Sequence, residues 1–150
     1  MSIKRSRYIT SLVFLTFFVI SLISNVFGPI IPDVISGFQV SLTAAAFLPF
    51  CFFVAYGVMS VPAGFLLERW GEKGVMTASF LLAFAGALLF ALFPAYRVAV
   101  FSLFAIGASV AALQVAINPL LRVAGGEEHF AFNSTLAQFI FGIASFLSRP

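Results

Sequence analysis

Long uncharged stretches separated by short polar ones dominate the chain. Tyr8 to Pro32 carries no charged residue, and neither do Leu42 to Leu67, Gly74 to Phe93 or Val98 to Leu121. A helix rises about 1.5 Å per residue, so roughly 20 residues cross a bilayer core of roughly 30 Å. The pattern therefore predicts transmembrane helices over 8–32, 42–67, 74–93 and 98–121. A fifth apolar segment begins at Ser134 and reaches Pro150 before it attains a comfortable spanning length, so a fifth helix over 134–150 is expected to be incomplete. Polar links are expected at 32–41, at the charged turn 68–73, at Pro94 to Arg97 and over a loop from Arg122 to Asn133. Pro49, Pro62 and Pro119 fall inside the apolar runs. A membrane helix tolerates proline where neighbours re-satisfy the freed carbonyl, so these residues are expected to shape helices, with a gating hinge as the alternative. No strand-like alternation of apolar and polar residues, as a membrane barrel requires, is visible.

Composition sharpens the class. Hydrophobic residues make up 62% of the chain and charged residues 9%, whereas a soluble domain carries roughly a quarter charged residues. The expected fold is an all-α integral membrane protein, one bundle over residues 1–150, with the lipid bilayer as its surroundings. The first run is too long for a secretory signal and lacks a small-x-small cleavage site. The formal net charge is +3, but the basic residues form no stripe, so no nucleic-acid partner is expected. They read instead as topology signals. Of the eight Lys and Arg, Lys4, Arg5, Arg7, Arg69, Lys73 and Arg122 fall on one side and Arg97 on the other, with Arg149 toward the outer end of the fifth helix. The positive-inside rule then places the N-terminus in the cytoplasm of a multi-pass protein of the cell (inner) membrane.

With no charge inside the first four helices, the polar residues there carry the chemistry. Ser21, Asn25 and Gly28 share one face of the first helix at i, i+4, i+7, Gln114 and Asn118 are four apart in the fourth, and Gln138 lies in the fifth. A carboxamide facing lipid leaves donors and acceptors unpaired at several kcal/mol. These amides are therefore expected to be either interhelical ties or a site for a hydroxylated solute, since amides both donate to and accept from hydroxyls. Cys51 is alone and is expected to be a small buried residue. His129 is expected to be solvated, and Tyr8 and Trp70 to be interfacial anchors. No HExxH, Cys/His cluster, phosphate loop or Ser/His/Asp set is present, so neither an enzyme, a metal site nor a cofactor is expected.

The charged turn reads Gly64-x-Leu66-x-Glu68-Arg69-x-Gly71-x-Lys73. This resembles the signature loop of the major facilitator superfamily in both pattern and place. In that superfamily the acid contacts a helix of the other half of the transporter, which implies a gating role for Gly64, Glu68, Arg69, Gly71 and Lys73. A narrower resemblance covers Ser24-Asn25 through Pro32, Pro62-Ala63-Gly64, Gln114 to Pro119, His129-Phe130, Asn133 and Leu136-Ala137-Gln138. These segments are similar to the fucose and glucose/galactose permease family. The resemblance implies twelve helices in two halves, with this chain the N-terminal portion and the C-terminal half missing. It also implies secondary-active transport of a hexose or deoxyhexose by alternating access, with Asn25, Gln114, Asn118 and Gln138 binding the sugar. The proton-coupled fucose permease has an aspartate at the position of Gly28, a glutamate at that of Gln114 and an asparagine at that of Phe141. Coupling to H+ or Na+ is therefore open, and the portion alone is expected to be inactive. Two other readings fit the apolar helices: a small oligomeric multidrug-type carrier, and a membrane subunit with no transport role.

Overall fold

The computed structural model describes residues 3–25, 27–125 and 127–147, and α-helix is the only regular secondary structure among them. In chain order the helices are α1 (Ile3–Asn25), α2 (Phe27–Phe38), α3 (Leu42–Leu92), α4 (Tyr96–Gly125) and α5 (Glu127–Leu147). Tyr8–Asn25, Leu42–Leu92, Tyr96–Val123 and Phe130–Leu147 are long and apolar enough to cross a bilayer, as the all-α membrane class requires. Arg149 and the side chain of His129 lie outside the described residues.

The helices are longer than the apolar runs. α1 starts among the basic residues at Ile3, because Lys and Arg are good helix formers and stop nothing. Within the expected helix over 8–32 the described residues are helical, as α1 and α2, and residue 26 lies outside them. α2 carries Pro32 internally and continues to Phe38, through residues expected to link helices. Within it the Ser36 hydroxyl donates to the Asp33 carbonyl at 3.1 Å, a local bond that a helix accommodates. Gln39, at φ 51°, follows the end of α2, the left-handed conformation that commonly ends helices. Ser41 then caps α3, its Oγ accepting from the Ala44 amide at 3.2 Å. The loop expected over Arg122 to Asn133 is also helical on both sides of residue 126, so α5 starts at Glu127 rather than at 134.

α3 is 51 residues long with one non-helical residue, Gly71, at φ 67° and ψ 172°. A straight helix of that length would span roughly 75 Å. Yet the Tyr96 hydroxyl, just past the end of α3, donates to the Ala44 carbonyl near its start at 2.8 Å. The chain therefore doubles back at Gly71, and residues 42–70 and 72–92 form a helical hairpin. The charged turn expected over 68–73 is thus narrower: Glu68, Arg69, Glu72 and Lys73 stay helical, and one glycine makes the reversal. Pro49 and Pro62 keep helical backbone angles inside α3.

The chain forms two compact units, Met1–Pro29 with Ile117–Pro150, and Ile30–Ala116. In the first, α1 packs on α5. Val13, Phe17, Ile20 and Ser21 are buried on α1, and Ala137 and Ala144 on α5. In the second, α4 packs on both arms of the hairpin. The pairs Ala44–Tyr96, Phe52–Gly107 and Tyr56–Gln114 ascend together, so α4 runs parallel to residues 42–70. A Cβ placed on Gly86 would lie 3.1 Å from the Ser102 carbonyl, and one placed on Gly107 would overlap the Phe52 carbonyl and lie 3.1 Å from its Cα. Small residues permit this approach where lipid supplies no hydrophobic drive for helix association.

Two substitutions test the packing. Gly107→Ala should lower the stability of the purified protein in detergent by about 1–3 kcal/mol, since a methyl group must push backbone apart. Gly57→Ala, where nothing lies within 4 Å of the new Cβ, should not; equal thermal shifts for the two would contradict the close approach. The buried Ser102 hydroxyl has no hydrogen-bond partner among the described residues. Ser102→Ala should accordingly raise stability by about 1 kcal/mol, read from the same melting curves.

Candidate functional site

A side-chain hydroxyl or amide inside an apolar span needs a partner, and the helix backbone offers the nearest one. Thr16 donates to the Leu12 carbonyl at 2.8 Å and Ser109 to that of Ile106 at 2.7 Å, which uses the one donor of each hydroxyl. On α1 the same logic forms a relay. Asn25 Nδ2 donates to the Ser21 carbonyl at 2.9 Å and lies 3.4 Å from its Oγ, while the Ser21 Oγ donates across to the Phe141 carbonyl of α5 at 2.6 Å. Ser21 is thereby an interhelical tie. Asn25, one turn further along α1, is half-buried, and Gln138, one turn before Phe141 on α5, is exposed. Asn118 is exposed as well.

Gln114 has a different setting. It is half-buried on α4, and the hydroxyl of Tyr56, also half-buried, donates to its Oε1 at 2.5 Å. Of the four amides predicted as a site, Asn25, Asn118 and Gln138 belong to the first compact unit and Gln114 to the second. No hydrogen bond joins any two of them among the described residues. Tyr56 is the residue that the reading of the sequence missed. The available signal was compositional: the chain has 21 Phe against 3 Tyr, so a Tyr in mid-span adds a hydroxyl where Phe would serve for packing. Such a hydroxyl ordinarily finds a partner when buried.

The signature segment lies around the reversal of α3. Glu68, Arg69 and Lys73 are exposed, Gly64 and Gly71 are half-buried, and no ion pair is seen among these residues. The Lys73 carbonyl accepts from the Thr77 hydroxyl at 2.8 Å, a bond within the second arm. Met59, Leu66 and Trp70 before the turn and Val75, Ser79 and Leu82 after it line a groove whose walls are almost wholly apolar. Such walls offer a hydroxylated solute nothing to bond. In the first unit the Arg122 guanidinium stacks over the Phe130 ring at 5.0 Å, linking the end of α4 to the start of α5. No cluster of three or more His, Cys, Asp or Glu able to hold a metal occurs among the described residues.

Comparison with known proteins gives a consistent result. Residues 13–150 match the family model described as Major Facilitator Superfamily. The chain is 37% identical over 133 residues to the glucose/galactose transporter of Brucella abortus biovar 1 (strain 9-941), covering 87% of this chain and 32% of that protein. The protein of the same name in Brucella abortus (strain 2308) gives the same figures. It is 29% identical over 128 residues to the L-fucose-proton symporter of Escherichia coli (strain K12), covering 81% of this chain and 28% of that protein. The chain thus spans 32% or less of the length of these relatives, in their N-terminal portion. No solved structure matches it.

Within the signature segment the two glycines make different demands. Gly71 holds a backbone conformation that is essentially restricted to glycine. Gly71→Ala should therefore cost about 1–3 kcal/mol of stability, the cost of holding a residue in so sparsely populated a region. Gly64 sits in regular helix with nothing within 4 Å of an added Cβ, so Gly64→Ala should melt like the parent protein. Melting both variants in detergent separates a turn that needs glycine from one that merely contains it.

Proposed function

Because this chain belongs to the major facilitator superfamily, we propose that it forms the N-terminal part of a secondary-active permease for a small hydroxylated solute, a hexose or deoxyhexose sugar. The observation that carries the substrate class is the 37% identity with a glucose/galactose transporter, over 87% of the chain. The kinship with a fucose transporter points the same way. In this reading Asn25, Gln114, Asn118 and Gln138 each contact the sugar. Carboxamides suit a polyol because each offers two donors and an acceptor without a charge to desolvate. A site built to bond hydroxyls also rejects analogues that lack them, because its own polar groups are then left unpaired.

Gly64, Glu68, Arg69, Gly71 and Lys73 act in the gate, with the reversal at Gly71 presenting the charged residues to water. The bias of basic residues supports a cytoplasmic N-terminus and a cytoplasmic position for this turn in a multi-pass cell membrane protein. The solute moves by alternating access between two halves, and residues 1–150 alone lack the second half and are inactive. The coupling ion is H+ or Na+. The relative from Escherichia coli is a proton symporter, but Gln114 and Gly28 offer no carboxyl to carry a proton, which leaves Na+ open.

The test uses the complete reading frame that contains this chain, reconstituted in vesicles. Asn25→Ala and Gln138→Ala should each reduce labelled hexose uptake about 10-fold or more with unchanged protein levels, by the loss of hydroxyl-recognising groups. Normal uptake by both variants would remove the site assignment. Imposing a pH gradient and a Na+ gradient in separate arms assigns the ion by which one drives accumulation.

A further inference from the structure

Tyr56 has no role in the reading above, yet it holds one of the amides that the reading uses. Both residues lie in the same compact unit, Tyr56 on the first arm of α3 and Gln114 on α4. The phenol can rotate its single O–H onto one acceptor, and in the structure that acceptor is Gln114 Oε1 at 2.5 Å. A carboxamide is planar, with its acceptor and its donors at opposite corners. Fixing Oε1 therefore fixes Nε2, and removes the freedom of the amide to turn over. An untethered glutamine can offer either end to a solute; a tethered one offers two N–H donors. Gly107 anchors the same pair of helices by direct backbone approach to Phe52, one turn from Tyr56 on the α3 arm, so the tether joins two elements already held in register.

We propose that Tyr56 is a positioning residue that orients the Gln114 carboxamide so that its Nε2–H2 group donates to a hydroxyl oxygen of the transported sugar. This rests on the sugar-permease reading and deepens it. The Gln114 contact discriminates by what the sugar accepts. A ring position that keeps an acceptor there is recognised, and a position stripped of oxygen is not. Tyr56 never touches the sugar, so its removal weakens recognition without removing the donor.

The experiment is a double-substitution cycle in the complete transporter reconstituted in vesicles, with labelled hexose and its deoxy and fluoro analogues as probes. Tyr56→Phe keeps the ring and its packing and deletes only the hydroxyl. It should raise KM by ~2- to 10-fold, the fold-change of one neutral hydrogen bond, with kcat within about twofold of the parent because the same ring fills the same space. Gln114→Leu should raise KM at least as much. The double variant should match Gln114→Leu alone, because Tyr56 acts through the amide. At one ring position the parent should prefer the fluoro over the deoxy analogue, and Tyr56→Phe should narrow that preference. Multiplicative effects of the two substitutions on KM, or an unchanged KM in Tyr56→Phe, would overturn the proposal while leaving the sugar reading intact. Absence of hexose uptake by the parent transporter would overturn both.

Discussion

A polar group in hydrocarbon has no water to turn to, and most of this structure follows from that. Backbone amides and carbonyls satisfy one another only within helices, so helix is the only regular structure among the described residues. Side-chain hydroxyls obey the same constraint at smaller scale. Thr16, Ser60, Thr77, Ser109 and Thr135 all donate to carbonyls three or four residues back. Beyond these local bonds, Ser21 to Phe141, Tyr96 to Ala44 and Tyr56 to Gln114 join one helix to another. Each one fixes where two helices cross. Polar side chains here serve topology first.

The second organising term is size. Among helices surrounded by lipid, association depends on contact rather than on exclusion of water. α4 is the most buried of the apolar spans, with half of its apolar stretch buried against 28% or less for the others. It achieves this with Gly107, Ala108, Ser109, Ala111, Ala112 and Ala116, residues that bring little apolar area but let neighbours come close. Phe52 is buried on the first arm of α3, but many of the large side chains there point the other way. Phe50, Phe53, Val58, Val61 and Phe65 on the first arm of α3 are all exposed, which in a bilayer is where bulk costs nothing.

The membrane class and the number of apolar segments were legible in the sequence, because charge is costly in hydrocarbon and its absence marks the spans. Helix ends were less legible. Asp33, Ser36, Arg122 and Asn133 are polar and so resemble link residues, but polarity reports contact with water and not a break in the backbone. The reversal at 68–73 was visible by its charges, while the residue that makes it, Gly71, follows from a backbone angle that composition does not encode. In the candidate site, the faces holding Asn25 and Gln114 could be read from their four-residue spacings. Their partners could not. Whether Asn25 turns to its own helix or Gln114 meets Tyr56 depends on which helices neighbour one another, and spacing within one helix is silent on that.

The crossing of α4 over Phe52 has a genetic consequence. Damage from a side chain that is too large can often be suppressed by shrinking the residue opposite it. At Gly107 the atoms that would be struck are the carbonyl and Cα of Phe52, and no codon at position 52 removes them. Every replacement of Gly107 enlarges it, and none can be compensated by its contact partner. Revertants of a Gly107 variant are thus confined to restored glycine or to distant changes that shift a whole helix.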